Sequence, residues 1–292
     1  MKKLIVFVSV FMVSFAGLAF GKQFTMGISL STLNNPFFVA LKDGAQAEAT
    51  KMGVKLIVVD SQDNPATEAK NIEDLITKRV DALLINPTDS SAIVPSVFKA
   101  NQAGIPVFTI DRGAANGKVT AHVASDNVLG GRMAAEFLLK KLGNKGNVIE
   151  LEGIAGTSAA IDRGKGFNEV VGANSMVKVV SRQTANFNRA EGLRVFENIL
   201  QAQPNIDGVF AHNDEMILGA IQAAKAAGRT GIVFVGFDAV DDAVNAVKAG
   251  TLAATVAQKP ALIGELGVKT AVDFLKGKKV ENYIPVPLAL VK

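Results

Sequence analysis

Short apolar runs alternate with amphipathic stretches along this chain, and the whole alternation occurs twice in tandem. Residues 24–29, 54–60, 82–86 and 106–110 are apolar runs of strand length. Their near-continuous hydrophobicity predicts strands buried on both faces of a parallel sheet. Between them, residues 36–52, 65–79 and 93–103 carry the helical period. Pro36 and Pro65 stand near helix starts, where a missing N–H leaves nothing unsatisfied. Gly53 and Gly104 stand where a left-handed residue ends a helix. The pattern then restarts, with strands at 148–151, 177–182, 208–211 and 232–236. Helices are expected at 128–142, 160–171, 189–201, 214–227 and 240–249. A strand at 253–257, a helix at 260–275 and a last strand near 286–291 complete the chain. This is an α/β pattern, and it predicts two similar lobes, each a doubly wound parallel sheet. At 292 residues the chain has room for two such cores.

Composition removes several classes of function. Lys and Arg total 31 against 27 Asp and Glu, with no basic run, so nothing marks a nucleic-acid face. The chain has no cysteine, which excludes disulfides, thiolate metal sites, Cys nucleophiles and a lipid-modified N-terminus. Lys2 and Lys3 precede an apolar stretch at 4–20, and Ala19-Phe20-Gly21 has the small-residue spacing of a signal-peptidase site. Residues 1–21 are therefore expected to be a cleaved signal peptide. The stretch is at the short limit for a membrane span and lacks a stop-transfer pattern.

In open parallel sheets a ligand binds beyond the carboxyl ends of the strands. Two such sheets facing one another put both sets of strand-end loops around one cleft. The residues found there are Asn35, Phe37, Phe38, Asp111 and Arg112 in the first half. In the second half they are Arg163, Phe187, Asn213, Phe237, Asp238 and finally Gln258. Acids, arginines and planar amides meet neighbouring hydroxyls in pairs, with fixed geometry. Flat Phe rings suit the C–H faces of a sugar. The set fits a neutral polyol, with opposed Asp and Arg offsetting each other's burial. Each residue alone also has a structural reading. Phe37 and Phe38 suit a core, Asp111 a turn, Arg163 a surface ion pair, Asn213 a helix cap and Gln258 a loop. Convergence at one end of consecutive strands favours the site.

Eight segments carry a resemblance. They are Ser31-Thr32-Leu33-Asn34-Asn35-Pro36-Phe37-Phe38, Asn86-Pro87-Thr88-Asp89-Ser90, Asp111-Arg112 and Ala124-Ser125-Asp126-Asn127. The others are Gly153-Ile154-Ala155-Gly156-Thr157-Ser158-Ala159, Asn213-Asp214-Glu215, Gly236-Phe237-Asp238 and Val256-Ala257-Gln258. On these the chain resembles the pentose/hexose periplasmic-binding family of bacterial ABC transport systems. The resemblance implies a type I periplasmic-binding fold with hinge crossings near Ser125, Gln258 and Pro287. It implies one lobe of residues 22–125 and 259–287, and another of 126–258 and 288–292. It further implies a monomeric periplasmic receptor for D-ribose that works by hinge closure, without cofactor or metal. A membrane permease is the implied partner, and a chemotaxis receptor a second one. Asn35, Asp111, Arg112, Arg163, Asn213, Asp238 and Gln258 match hydroxyl contacts in that family. Phe37, Phe38 and Phe187 match its aromatic contacts, with Phe237 beside them. Hexose receptors of the family often stack sugar on Trp; this chain has none, which favours a pentose over the alternative of another monosaccharide such as allose.

Two rival classes fare worse. A repressor on the same sensor fold needs an N-terminal DNA-binding headpiece, but the first strand begins by about Phe24. An enzyme would need acid–base or nucleophilic machinery. The chain shows no P-loop and no G-x-S-x-G elbow, and its two histidines, His122 and His212, read as structural or surface residues.

Overall fold

The computed structural model describes residues 23–292, and the expected signal peptide at 1–21 lies outside the described residues. The first half runs β1 (Thr25–Leu30), α1 (Pro36–Lys51), β2 (Lys55–Asp60), α2 (Pro65–Thr77), β3 (Ala82–Ile85), α3 (Val94–Gln102), β4 (Val107–Ile110) and β5 (Ala121–Ser125). The second runs α4 (Asn127–Lys141), β6 (Gly146–Glu152), α5 (Ser158–Gly172), β7 (Val177–Thr184), α6 (Arg189–Ala202), β8 (Gly208–Ala211), α7 (Asp214–Ala226), β9 (Val233–Asp238), α8 (Asp241–Lys248) and β10 (Ala254–Ala257). Then come α9 (Pro260–Leu275), β11 (Tyr283–Val286) and β12 (Ala289–Val291).

The strands form two six-stranded sheets, ordered β11-β5-β4-β3-β1-β2 and β12-β10-β9-β8-β6-β7. Strand pairing is parallel throughout, apart from the antiparallel β10–β12 ladder. In each sheet the order reverses once, at β1/β3 and at β6/β8. Such a switch point opens a crevice at the carboxyl ends of the strands. Helices cover both faces of each sheet, which accounts for the unbroken apolar strands: β3, β4 and β8 are buried at every residue.

Two expectations need correction. β5 is a strand that the apolar pattern missed. It is short, carries His122, and follows a turn-rich stretch, yet it pairs along β4 inside the first sheet. The single last strand expected near 286–291 is two strands in different sheets. β11 pairs parallel with β5, and β12 pairs antiparallel with β10. Pro287 separates them, and Pro285 is tolerated because β11 is an edge strand. The chain thus passes from one sheet's side to the other between β5 and α4, between β10 and α9, and between β11 and β12.

Local chemistry fixes the helix starts. Asn35, Asn64, Asp126, Thr157, Asn188 and Asn213 each accept a first-turn backbone N–H. Glycines set how closely helices approach. A Cβ on Gly131 of α4 would collide with the Arg163 carbonyl oxygen of α5, and one on Gly166 of α5 with the Val128 carbonyl oxygen. Gly131→Ala is therefore expected to lower stability by about 1–3 kcal/mol through overpacking. Urea unfolding measures this, and an unchanged midpoint would contradict the close α4–α5 contact.

Candidate functional site

Strand ends from both sheets converge on one cavity. It is lined by Asn35, Phe37, Phe38, Asp111 and Arg112 from one lobe, Arg163, Phe187, Asn213 and Asp238 from the other, and Gln258 at a crossing. Ala159 also lines it; a methyl group at the start of α5 gives no chemical signal in a sequence, but it leaves room. Phe237 does not line it. Side chains alternate along a strand, so where Asp238 faces the cavity, Phe237 turns into the core with no exposed surface. Its ring lies 3.8 Å below the Arg163 guanidinium carbon, a cation–π seat for that arginine.

The backbone at the cavity is unusual for non-glycine residues. Asp111 has φ +62°, Phe187 φ +56° and Asp238 φ +120°. Such conformations carry strain, and the surrounding structure holds them. At the ends of β4 and β9 they direct each carboxylate inward instead of along the strand. Asn35 and Asn213 serve twice. Each caps its helix through Oδ1, and each also lines the cavity. Phe37 and Phe38 likewise belong to the first-lobe core while also lining the cavity, their rings packed edge to face at 5.2 Å.

Two arginines organise the charge. Arg163 donates to Asn127 Oδ1 at 2.8 Å and to the His212 carbonyl at 2.6 Å, and stands 3.5 Å from Asp238. Arg112 is sandwiched between Phe38 and Phe187, at 5.0 and 5.2 Å from their ring centres, and donates to the Pro87 carbonyl at 3.4 Å. Two acids, Asp111 and Asp238, face these two cations, and the formal charges cancel when both are ionised. Burial still disfavours every charge in it. It lowers the affinity of Arg112 and Arg163 for their protons, although the neighbouring aspartates oppose this. Burial raises the Asp238 carboxyl to about 7 against the pull of Arg163 and Gln258. Beneath it, Asp214 is also raised well above the ordinary carboxylate range, by burial and then by repulsion from Asp238.

Three polar atoms around the cavity are buried without any hydrogen-bond partner among the described residues: Asp111 Oδ1, Arg112 Nε and Gln258 Oε1. Two accept and one donates. An unmet buried polar group costs about 1–3 kcal/mol, so a ligand supplying both donors and acceptors is required to satisfy all three. A hydroxyl does both.

The lobes touch directly at the cavity rim. Ser90 N–H donates to the Gly156 carbonyl at 3.0 Å, and Gly113 N–H to Ser158 Oγ at 2.9 Å. The loop holding Ser90 is anchored from behind by Glu68, which accepts from Thr88 N–H and Thr88 Oγ1 at 3.1 and 2.7 Å. Burial raises the Glu68 carboxyl to about 7, the Thr88 bonds only partly opposing it. Its folded value thus lies above its unfolded one. The ionised form is a burden that is absent at low pH and complete above about 7. Glu68→Gln keeps an acceptor for Thr88 and removes the charge. It is expected to raise stability at pH 8 by on the order of 2 kcal/mol and to flatten the loss of stability between pH 5 and 8. Thermal melts across that range test this, and a Gln variant less stable than the parent at pH 8 would contradict it.

A periplasmic binding protein domain matches residues 26–279. The chain belongs to the periplasmic binding protein family. Within it, the chain is 53% identical to the ribose import binding protein RbsB of Haemophilus influenzae over 92% of this chain and 91% of that protein. It is 53% identical to the ribose import binding protein RbsB of Bacillus subtilis over 92% and 87%. A solved periplasmic binding protein, the ABC transporter solute-binding protein of Actinobacillus succinogenes with bound D-allose, superposes with a TM-score of 0.87. It is 31% identical over 92% of this chain and 98% of that one. The paired sheets and the cavity between them are thus the type I periplasmic-binding architecture.

Proposed function

We propose that this protein captures free D-ribose in the periplasm by closing its two lobes around the sugar, and delivers it to the membrane permease of an ABC importer. The observation that carries the reading is the cavity's unmet demand. Asp111 Oδ1, Arg112 Nε and Gln258 Oε1 need mixed donors and acceptors, in a site where two arginines already face two aspartates. A charged ligand would upset that balance, whereas a polyol meets it. Asn35, Asp111, Arg112, Arg163, Asn213, Asp238 and Gln258 take the hydroxyls, and Phe37, Phe38 and Phe187 cover the ring faces. The name shared by relatives 53% identical favours ribose over allose, the ligand of a relative only 31% identical.

The reading needs no chemistry in the protein. Residues 1–21 direct export and are removed. The crossings near Ser125, Gln258 and Pro287 act as hinges, with 22–125 and 259–287 moving as one body and 126–258 and 288–292 as the other. The protein works as a monomer. Closure joins the outer faces of the lobes into one surface, which the permease, and a chemotaxis receptor, read as loaded. Calorimetric titration tests the ligand. One ribose per chain is expected, with micromolar affinity or better, which requires only about −8.2 kcal/mol. A flat ribose titration beside a clear signal with allose or glucose would overturn it.

A further inference from the structure

Behind Arg163 lies a buried pair of titratable groups that no ligand contact explains. Glu150 lies inside β6, does not line the cavity, and has no exposed surface. Its carboxylate faces His212 Nε2 at 3.0 Å, Arg182 Nε at 2.6 Å and Asn168 Nδ2 at 3.1 and 3.2 Å. Burial pushes its proton affinity up, but the His212, Arg182 and Asn168 contacts outweigh burial and hold it below the usual carboxylate range. It is an anion, so it accepts. On the other side of the ring, Gly153 N–H donates to His212 Nδ1 at 3.3 Å. A donor facing Nδ1 and a carboxylate facing Nε2 match a ring that carries its proton on Nε2.

That ring sits where three ligand-binding groups meet. The His212 carbonyl receives Arg163 at 2.6 Å. Asn213 is the next residue. Gly153 is the floor of Phe187, since a Cβ there would collide with the ring. Gly164, beside Arg163 on α5, approaches so closely that its Cβ would stand 3.2 Å from His212 Cε1. We infer that His212, held as its neutral Nε2–H tautomer between Glu150 and the Gly153 amide, is a positioning residue that fixes Arg163 and Phe187 for the sugar. The two contacts lock the ring and with it the 211–213 backbone, so the carbonyl that accepts Arg163 cannot swing. The pinned Gly153 amide keeps the loop after β6 under Phe187. This inference rests on the ribose reading of the cavity.

The test combines spectroscopy of the parent with two variants. Two-bond ¹H–¹⁵N spectra of the histidine side chains are expected to show His212 as the Nε2–H tautomer at neutral pH. A Nδ1–H tautomer or an imidazolium there would overturn the inference. His212→Ala is expected to weaken ribose binding about tenfold or more, the scale of one hydrogen bond to a charged group. His212→Gln carries one acceptor for Gly153 and one donor for Glu150, and is expected to restore affinity to within about threefold of the parent. Parent-like binding by His212→Ala, or a Gln variant as weak as Ala, would overturn the positioning role. If His212→Ala fails to fold, the tautomer and the Gln variant decide. A parent that does not bind ribose defeats the ribose reading instead, and the tautomer still tests the geometry.

Discussion

Arg163→Ala is expected to weaken ribose binding by about 10²–10³-fold, the range for truncating one partner of a buried, hydrogen-bonded charge pair. Arg163 is 3% exposed and joins Asn127, the His212 carbonyl and Asp238. Truncation removes its own bonds to the sugar and leaves Asp238 buried without its cation whenever the lobes close. Neither loss falls on the open protein, where water reaches both groups. The effect therefore concentrates in binding, with a smaller one on folding. Asp111→Asn is expected to show the same class of loss, because it keeps a side chain tolerant of φ +62° but removes the charge that offsets Arg112. Asn35→Ala removes a neutral partner and is expected to cost only about tenfold. Calorimetry orders the three. A loss below about fivefold for Arg163→Ala, roughly 1 kcal/mol, would remove it from direct contact with the sugar.

Lowering the pH from 8 to 5.5 is expected to favour the closed form of the unliganded protein severalfold, because closure buries the Asp238 carboxyl and raises its proton affinity. The Asp238 carboxyl is raised to about 7 by burial where the two lobes meet. In the open form water solvates it, which relieves that rise. A group with the higher proton affinity in the closed state favours closure at low pH, and that favour is lost as pH rises through about 7. Above that, closing an empty cavity buries an ionised carboxylate whose partners do not fully compensate it. Ribose changes the balance, because hydroxyls donating to Asp238 let the lobes close on the anion. Only a ligand that interacts differently with the two states can shift them. Energy transfer between dyes on the two lobes reads the ratio. Asp238→Asn should weaken the pH response, leaving the part due to Asp111, which burial also raises, and a closed fraction that grows with pH would contradict this coupling.

The reach of the sequence is clearest at particular residues. Strand-end position located Asn35, Asp111, Arg163, Asn213, Asp238 and Gln258 around one cavity, because a parallel sheet sends its carboxyl ends to one edge. The same rule overreached at Phe237, since adjacent strand residues face opposite ways and only one of Phe237 and Asp238 can face the cavity. It could not see Ala159, whose contribution is space. Glu68, Glu150 and His212 escaped for a different reason. They support the contacts from behind, and their function depends on which backbone groups the fold brings beside them. Hydrophobic pattern located most strands but not β5, and it fused β11 with β12. Apolar runs report burial, and they do not say which sheet does the burying.

Small-angle scattering with and without ribose tests the central claim, capture by closure. Neither half-site holds all the partners: Asp111 and Arg112 lie on one lobe, Arg163 and Asp238 on the other. A sugar bound to both must draw them together, with rotation confined to the crossings and each lobe rigid. The expected result is a smaller radius of gyration under saturating ribose, with a profile matching the closed arrangement. An unchanged radius of gyration, in a protein shown to start open and to bind ribose, would contradict the account.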